Sequence, residues 1–376
     1  ERAVLDRRSD ELATALLEPL TTGQRARLVG AMADVERMLT AALVEIDAET
    51  QPTVTRILAQ PESAVTPQER EIHDGLLEGG FIVPSEHDEI AVLKAKQIDR
   101  RTCNPDFFLT IAPTLACNFA CEYCFQRHET GHMTRETEAA LVRFSEEHIP
   151  GSRSLFVTWF GGEPTLCLST IERLQEAFSA LASRHGVTVH PAAIVSNGSR
   201  LDGNVATRLR SAGVAAAQVT LDGPEAEHDR RRHLRGGQGT FRSILRNLTE
   251  AADILRITVR VNVDRKNVAG APEVLRELRE SGLLSRVQIY FAPVKESTGA
   301  CADMTGRCFT NEEFARVQLE IYENLVARGF TEVEYPEPAP GGYCGADTEN
   351  GYVVAPNGLL FKCWEELSLN GAKSVG

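Results

Sequence analysis

The feature of this chain that most constrains its fold is an alternation of short apolar runs with segments of helical periodicity, which begins at residue 107. The apolar runs are rich in β-branched and aromatic residues, as strands are. Because each helix returns the chain to the start of the next strand, this alternation predicts a parallel sheet with helices against it. The predicted strands are 107–114, 154–160, 192–197, 215–222, 256–264 and 287–294, and the predicted helices are 134–148, 168–184, 201–211, 240–254, 272–281 and 311–328.

These strand–helix pairs predict an α/β fold, a partial (β/α)6 barrel over residues 106–335. Residues 1–105 are expected to form a separate, helix-rich accessory domain. Apolar residues at helical spacing over 9–50 and a short helix over 68–79 support this expectation, and prolines interrupt the chain between them. The domain boundary is predicted near residues 98–106.

Composition excludes several classes of protein. The chain has 376 residues, a net charge of −13 and a pI near 5.3, which disfavours a general nucleic-acid binder. The sequence contains neither a signal-peptide pattern nor an apolar run long enough to span a membrane. We therefore expect a cytoplasmic protein, in which an odd number of cysteines, nine, argues against a disulfide framework.

Three cysteines follow the first predicted strand directly. Cys117, Cys121 and Cys124 have the spacing C-x3-C-x2-C, and thiolates are ligands for iron–sulfur clusters or zinc. A closed structural zinc site needs four ligands, whereas three cysteines on a 4Fe–4S cube leave one iron open. His128 could supply a fourth zinc ligand, so the zinc alternative stays open.

Small and polar residues follow the other predicted strands. They are Gly161-Gly162-Glu163-Pro164, Ser196-Asn197-Gly198, Thr220-Leu221-Asp222-Gly223 and Asn262-Val263-Asp264. In parallel α/β folds, ligands bind at the carboxyl ends of the strands. Glu163 could accept a hydrogen bond from an ammonium group, and an arginine of the run 230–232 could grip a carboxylate with its planar fork. The sequence therefore predicts one active site at this edge of the sheet.

From about residue 107 to residue 376 the chain resembles the radical S-adenosylmethionine (SAM) superfamily. The family's C-x3-C-x-φ-C loop matches Cys117, Cys121, Tyr123 and Cys124, with Tyr123 at the aromatic position. The resemblance implies a 4Fe–4S cluster whose open iron binds the amino and carboxylate groups of SAM. It further implies that reduction cleaves SAM to methionine and a 5′-deoxyadenosyl radical, which abstracts hydrogen from a substrate.

The same resemblance assigns the SAM contacts. It implies that Gly161, Gly162 and Glu163 contact the methionyl ammonium group of SAM, and that Thr220 and Arg232 contact its methionyl carboxylate. It also implies contacts with the ribose or nearby polar groups, which would be made by Ser196, Asn197 and Asn262.

The C-terminal segment carries a second resemblance. Cys344, Gly358 and Cys363 form C-x13-G-x4-C, which resembles the opening of the SPASM or twitch extension of peptide- and protein-modifying members. This implies one or two auxiliary iron–sulfur clusters in the complete protein, and residues 336–376 are predicted to be the incomplete start of that domain. Cys301 and Cys308 could supplement Cys344 and Cys363 or act on the substrate.

The resemblance implies an enzyme that modifies a ribosomally made precursor peptide, by a thioether or C–C cross-link or a related C–H modification. Its expected partners are the leader segment of that peptide, docked on residues 1–105, and an electron donor such as flavodoxin or ferredoxin. One alternative is an anaerobic sulfatase-maturing enzyme, although such enzymes carry an acid where this chain has Trp364, and Glu365 is one place away. Another is a non-catalytic metal-binding scaffold.

Overall fold

The structure, a computed structural model, describes residues 49–83, 88–102, 105–295, 304, 306–330 and 345–376. Most of the predicted helical stretch 9–50 lies outside the described residues, as do Cys103, Cys301 and Cys344. The described chain divides into two compact units. The first contains residues up to 99 and the second begins at residue 100, while the domain boundaries predicted above stay predictions.

The described part of the first unit is helical. The helix predicted over 68–79 is confirmed, and Thr66 caps its start by accepting a hydrogen bond from the backbone N–H of Glu69. The helix that contains Pro52 was not predicted, because its proline was taken for a break; proline in a first turn loses no helical hydrogen bond. The helices are α1 (Gln51–Ala59), α2 (Pro67–Glu78) and α3 (Glu89–Thr102).

The second unit contains one sheet, and the predicted α/β fold is confirmed. Its strands run in the order β7-β6-β5-β4-β2-β1-β8-β9, with β3 beside β2, and every pairing is parallel except that of β8 with β9. The strands are β1 (Asp106–Ile111), β2 (Ser154–Trp159), β3 (Thr188–Val189), β4 (Ala192–Ser196), β5 (Val214–Thr220), β6 (Arg256–Val263), β7 (Val287–Pro293), β8 (Gly351–Val354) and β9 (Leu360–Phe361).

Helices connect the parallel strands at the predicted places. One of them, α7, was not predicted, because its charged sequence EAEHDRR has no apolar face. The helices are α4 (Arg135–His148), α5 (Leu168–His185), α6 (Gly203–Ser211), α7 (Glu225–Arg231), α8 (Phe241–Ala251), α9 (Val274–Glu280) and α10 (Asn311–Ala327). In the described parts of the chain, no helix is long and apolar enough to cross a membrane.

A buried core fixes the carboxyl ends of the strands. Phe107, Leu109 and Ile111 alternate along β1 with partly buried residues, and all three side chains are at most 1% exposed. Burying one such side chain is worth roughly 1.5–3 kcal/mol. Leu174 and Phe178 of α5 belong to the same core. The loops after the strands are therefore anchored on a rigid frame.

The C-terminal segment extends this sheet. Strand β8 pairs with β1, and a small apolar cluster that includes Ala112, Phe160 and Phe361 lies where β1 and β2 end. No strand was predicted here, since β8 and β9 have only four and two residues. Strand β9 runs antiparallel to β8, and after it Trp364, the neighbour of Cys363, stacks on Phe160, the residue that follows β2.

Candidate active site

The three cysteines of the triplet lie in the loop after β1, where they are partly buried, and none of them forms a disulfide within the described residues. Burial raises the pKa of Cys117 to about 11 and that of Cys121 to about 12, and the neighbouring thiols act in the same direction. Three thiolates are thus unfavourable here without a compensating cation. A metal cluster bound by this set would supply the positive charge and displace the protons, so the donor set fits such a group.

His128 lies beside the triplet, as the zinc alternative requires. Its Nε2 is 3.5 Å from the Sγ of Cys124, and burial lowers its pKa, which favours the neutral imidazole that binds metals. In the described residues, no three His, Cys, Asp or Glu side chains converge on a single metal ion. An iron–sulfur cube binds each cysteine through a different iron, so its ligands need not share one point.

The segment after α7 clamps the cysteine loop. The backbone N–H of Ala120 donates to the carbonyl of His233, and that of Arg235 donates to the carbonyl of Asn118, both at 3.0 Å. The side-chain Nε of Arg235 also donates to the carbonyl oxygen of Cys117, at 2.7 Å. The segment that follows the arginine run 230–232 therefore orders the loop that bears the thiols.

Tyr123 brings together two of the predicted SAM contacts, Arg232 and Asn262. Its hydroxyl donates to Asp222 at 2.5 Å and accepts from Nη1 of Arg232 at 2.6 Å and from Nδ2 of Asn262 at 3.0 Å. Arg232 is 7% exposed, and its Nε is buried without a hydrogen-bond partner in the described structure. An unsatisfied buried guanidinium donor fits a site for a carboxylate. Thr220 is buried at the end of β5, two residues before Asp222.

A buried ionic network lies beneath Tyr123. Arg231 is fully buried, and it donates from Nη1 to Asp264 at 2.7 Å and from Nε to Asp222 at 3.4 Å. Burial acts to raise the pKa of Asp264, but the hydrogen bond and charge of Arg231, together with Arg307, hold that pKa below its usual value of 3.8. The same arginine, Arg307, also donates to Glu122 in the cysteine loop, at 2.7 Å. The network therefore joins the ends of β5 and β6 to the loop.

Glu163 of the Gly-Gly-Glu-Pro turn is fully buried and already satisfied. Its carboxylate accepts from the backbone N–H and the hydroxyl of Thr165, from the hydroxyl of Ser196 and from the backbone N–H of Asn197, at 2.6–3.1 Å. A carboxylate offers about four lone-pair sites. Glu163 thus holds the loops after β2 and β4 together, while its predicted contact with an ammonium group stays a prediction.

The two glycines of the turn allow it to approach the start of the cysteine loop. Gly161 has a φ of 111°, and a Cβ on Gly162 would lie 2.2 Å from the carbonyl oxygen of Ala116. The backbone N–H of Glu163 donates to that same oxygen at 2.9 Å. The two glycines therefore allow a close contact with the backbone of the chain itself.

The substitution Gly162→Ala is expected to lower the free energy of unfolding by roughly 1–3 kcal/mol and to reduce iron loading, because the methyl group displaces the backbone that leads to Cys117. Urea denaturation and iron analysis measure the two effects. Gly270→Ala is the control, since the nearest atom to a Cβ there is 3.9 Å away. Equal stability and equal iron content in the two variants would contradict this role of Gly162.

Other cysteines lie near the same edge of the sheet. Cys363 is partly buried after β9, and the next residue, Trp364, stacks on Phe160 with ring centroids 5.2 Å apart. Phe160 in turn stacks on Phe125 of the cysteine loop at 6.5 Å. Cys308 is partly buried and packs with Tyr123 and Phe125 in a second apolar cluster. The aromatic contacts connect the two cysteine-bearing loops, which the sequence pattern did not predict.

Comparison with known proteins identifies the class of this site. Residues 111–263 match the family model of the radical SAM superfamily. The matched stretch contains the cysteine triplet and the polar loops after β2, β4 and β5. Over this stretch the chain is similar to the radical SAM superfamily, which agrees with the resemblance of its motifs.

Curated relatives of the chain have several activities. The mycofactocin maturase MftC of Mycobacterium tuberculosis is 28% identical over 248 residues, which are 63% of this chain and 57% of that protein. The serine-type anaerobic sulfatase-maturating enzyme of Klebsiella aerogenes is 28% identical over 42% of this chain and 41% of its own. The Fe-coproporphyrin III synthase of Methanosarcina barkeri is 25% identical over 47% of this chain and 42% of its own. The chain thus spans about half the length of the curated relatives that it matches.

Solved structures show the same fold. Streptococcus suis SuiB bound to the precursor peptide SuiA has a TM-score of 0.52 at 16% identity, over 88% of this chain and 80% of that one. The structure of anSMEcpe with bound AdoMet and the Cp18Cys peptide has a TM-score of 0.56 at 19% identity, over 72% and 77% of the two chains. Both similarities establish the α/β fold of the second unit.

Proposed function

We propose that this protein is a radical SAM enzyme that abstracts hydrogen from a ribosomally made precursor peptide and thereby forms a cross-link or a related C–H modification. One observation carries the proposal: hydrogen bonds join the cysteine loop to the loops after β4 and β5 and to the end of β6. Asn197 donates to the Sγ of Cys117, and the hydroxyl of Tyr123 contacts Asp222 and Asn262. A metal-binding loop fixed on three strand ends has the position of an active site in this fold.

The residues present provide for both groups of the proposed site. Cys117, Cys121 and Cys124 would hold a 4Fe–4S cluster, and the unsatisfied Nε of Arg232 would donate to the carboxylate of SAM. When bound, the cluster and SAM supply the radical that removes hydrogen from an unactivated C–H bond. The chain's own contribution is to hold the loops rigid and to keep water from the edge of the sheet.

The peptide substrate is supported by two observations from different sources. The spacing from Cys344 to Cys363 resembles the extension of peptide- and protein-modifying members, and one of the curated relatives is named a maturase. We propose that these two cysteines contribute to an auxiliary iron–sulfur cluster in the complete protein. Residues 1–105 would receive the leader segment of the peptide, and a flavodoxin or ferredoxin would donate the electron.

Anaerobic reconstitution tests the proposal. The protein is incubated with iron, sulfide, SAM, a reductant and a synthetic peptide encoded beside its gene. We expect 5′-deoxyadenosine together with a peptide about 2 Da lighter for each cross-link. Reactions without SAM are the control. If 5′-deoxyadenosine forms but no neighbouring peptide changes in mass, the peptide substrate is wrong while the radical chemistry stands.

A sulfatase-maturing activity is the second candidate, favoured by the relative from Klebsiella. The residue after Cys363 argues against it, because Trp364 has no group that accepts a proton and its ring stacks on Phe160. Glu365 is exposed beside it. Conversion of a serine or cysteine to formylglycine in a sulfatase peptide would favour this candidate over cross-linking.

A further inference from the structure

We infer that Asn197 is a hydrogen-bond donor to the cluster ligand Cys117 and that it thereby raises the reduction potential of the cluster. The inference rests on the proposed function, since it requires a cluster at the triplet. It gives Asn197 a role other than the ribose contact that the family resemblance implies. The Nδ2 of Asn197 lies 3.7 Å from the Sγ of Cys117, within the range of N–H···S hydrogen bonds.

The orientation of this amide is fixed by its other contacts. The Oδ1 of Asn197 accepts from the backbone N–H of Ser199 at 3.0 Å, and a backbone N–H can only donate. The hydroxyl of Ser199 donates to the same oxygen at 2.7 Å. Because the Oδ1 of Asn197 accepts both hydrogen bonds from Ser199, the nitrogen of the same amide must be the atom that faces Cys117.

A ring of hydrogen bonds reinforces this arrangement. The Nδ2 of Asn197 also donates to the Oδ1 of Asn118 at 2.8 Å, and the Nδ2 of Asn118 donates to the hydroxyl of Ser199 at 2.9 Å. Each member of the ring thus donates to the next, an arrangement in which the bonds strengthen one another. Because Asn118 lies next to Cys117 in the chain, the ring fixes the donor relative to the sulfur.

The backbone of Asn197 is held as firmly as its side chain. Its N–H donates to the buried carboxylate of Glu163 at 2.7 Å, and the residue is 6% exposed. The sulfur of Cys117 has one other donor in the described structure, the backbone N–H of Phe119 at 3.4 Å. Asn197 is therefore the side chain through which a substitution can change the hydrogen bonding of this sulfur.

The direction of the effect follows from charge. Reduction adds an electron to the cluster and increases the negative charge that its sulfur ligands share. A donor directed at one sulfur stabilises the reduced state more than the oxidised state. Removing the donor is therefore expected to shift the reduction equilibrium toward the oxidised cluster by roughly tenfold, which corresponds to 59 mV for a one-electron couple.

The experiment is a redox titration of the reconstituted protein without SAM, followed by electron paramagnetic resonance. Asn197→Asp keeps the shape of the side chain and the acceptor for Ser199, but it replaces the donor with a carboxylate oxygen. For Asn197→Asp we expect a midpoint potential that is more negative by at least about 59 mV, the shift that corresponds to a tenfold change in the reduction equilibrium. A smaller shift in the same direction is expected for Asn197→Ala. Ser199→Ala is the matched control, because it breaks the ring and leaves the donor to Cys117 in place.

The variants separate a redox role from a purely structural one. Thermal melting of the iron-free proteins reports how much each substitution weakens the ring. If Asn197→Asp and Asn197→Ala lower the potential while Ser199→Ala does not, the inference holds, even where their melting temperatures fall together. Equal potentials in all variants, or equal shifts in the Asn197 and Ser199 variants, would overturn it. If the wild-type protein binds no cluster, the proposed function fails instead.

Discussion

The triple variant Cys117→Ala, Cys121→Ala, Cys124→Ala is expected to bind no iron–sulfur cluster at this loop and to form no 5′-deoxyadenosine. These three thiols are the proposed cluster ligands, and no three His, Cys, Asp or Glu side chains in the described residues converge on a single metal ion that could take the cluster's place. Alanine removes the ligands at little cost in packing, because all three side chains are only partly buried. Anaerobic SAM cleavage measured by chromatography, with iron analysis alongside, gives the result directly.

Cys167→Ala is the matched control for this variant. Cys167 is a buried free thiol whose Sγ lies 3.2 Å from Nδ1 of His132, and it belongs to the helical turn that follows Gly161-Gly162-Glu163. Removing it is expected to leave cluster binding and SAM cleavage intact. Persistent SAM cleavage in the triple variant would overturn the assignment of the site.

The second large effect is expected for Arg231→Met. Methionine leaves Asp222 and Asp264 buried without their shared partner, and breaking a buried ion pair on one side costs about 3–5 kcal/mol. Arg230→Met is the control next to it in the chain, since Arg230 is 48% exposed and pairs with Glu227 at the surface. An exposed pair contributes about 0–1 kcal/mol. Urea denaturation of the two variants measures the difference, and equal losses would contradict the importance of the buried network.

The loss of unfolding free energy in Arg231→Met should also depend on pH. The pKa of Asp264 is below its usual value of 3.8 in the folded protein, so its pairing contributes fully above that value and is lost as the pH falls through the folded pKa. In Arg231→Met, Asp264 keeps its ion pair with Arg307 at 2.7 Å but loses Arg231, so its ionised form is less stabilised than in the wild type. The difference in the free energy of unfolding between wild type and variant is therefore expected to narrow as the pH falls below about 3.8. If the difference in the free energy of unfolding does not change with pH, the loss of stability in Arg231→Met comes from packing alone and the ionic contribution is contradicted.

The strands and helices that surround the site were predictable because their signals are local. The period of the apolar residues predicted β1, β2, β4, β5, β6 and β7 to within a few residues, and the strand ends located the polar loops. Helix α7 and strand β8 were missed for a physical reason. Arg231 in α7 is buried only because it meets Asp264, and β8 is stabilised by pairing with β1, more than two hundred residues earlier in the chain.

The site was predictable in its composition and less so in its contacts. The cysteine spacing indicated the proposed ligands, and the glycines and Glu163 lie at the end of a strand, as predicted. Their observed contacts are nevertheless within the chain: Gly162 packs against Ala116, and Glu163 accepts from Ser196 and Asn197. Sequence spacing shows which residues share an edge of the sheet, but it does not show which donors already satisfy one another.

The central claim is that the triplet holds a cluster with one position open to SAM, and spectroscopy of the reconstituted protein tests it most directly. We predict a brown protein that holds about four iron ions per chain at this site and absorbs at about 400 nm. Addition of SAM to the reduced protein should change its paramagnetic resonance spectrum, because SAM binds the open iron. A colourless protein with one zinc ion, or a cluster whose spectrum is indifferent to SAM, would contradict the account.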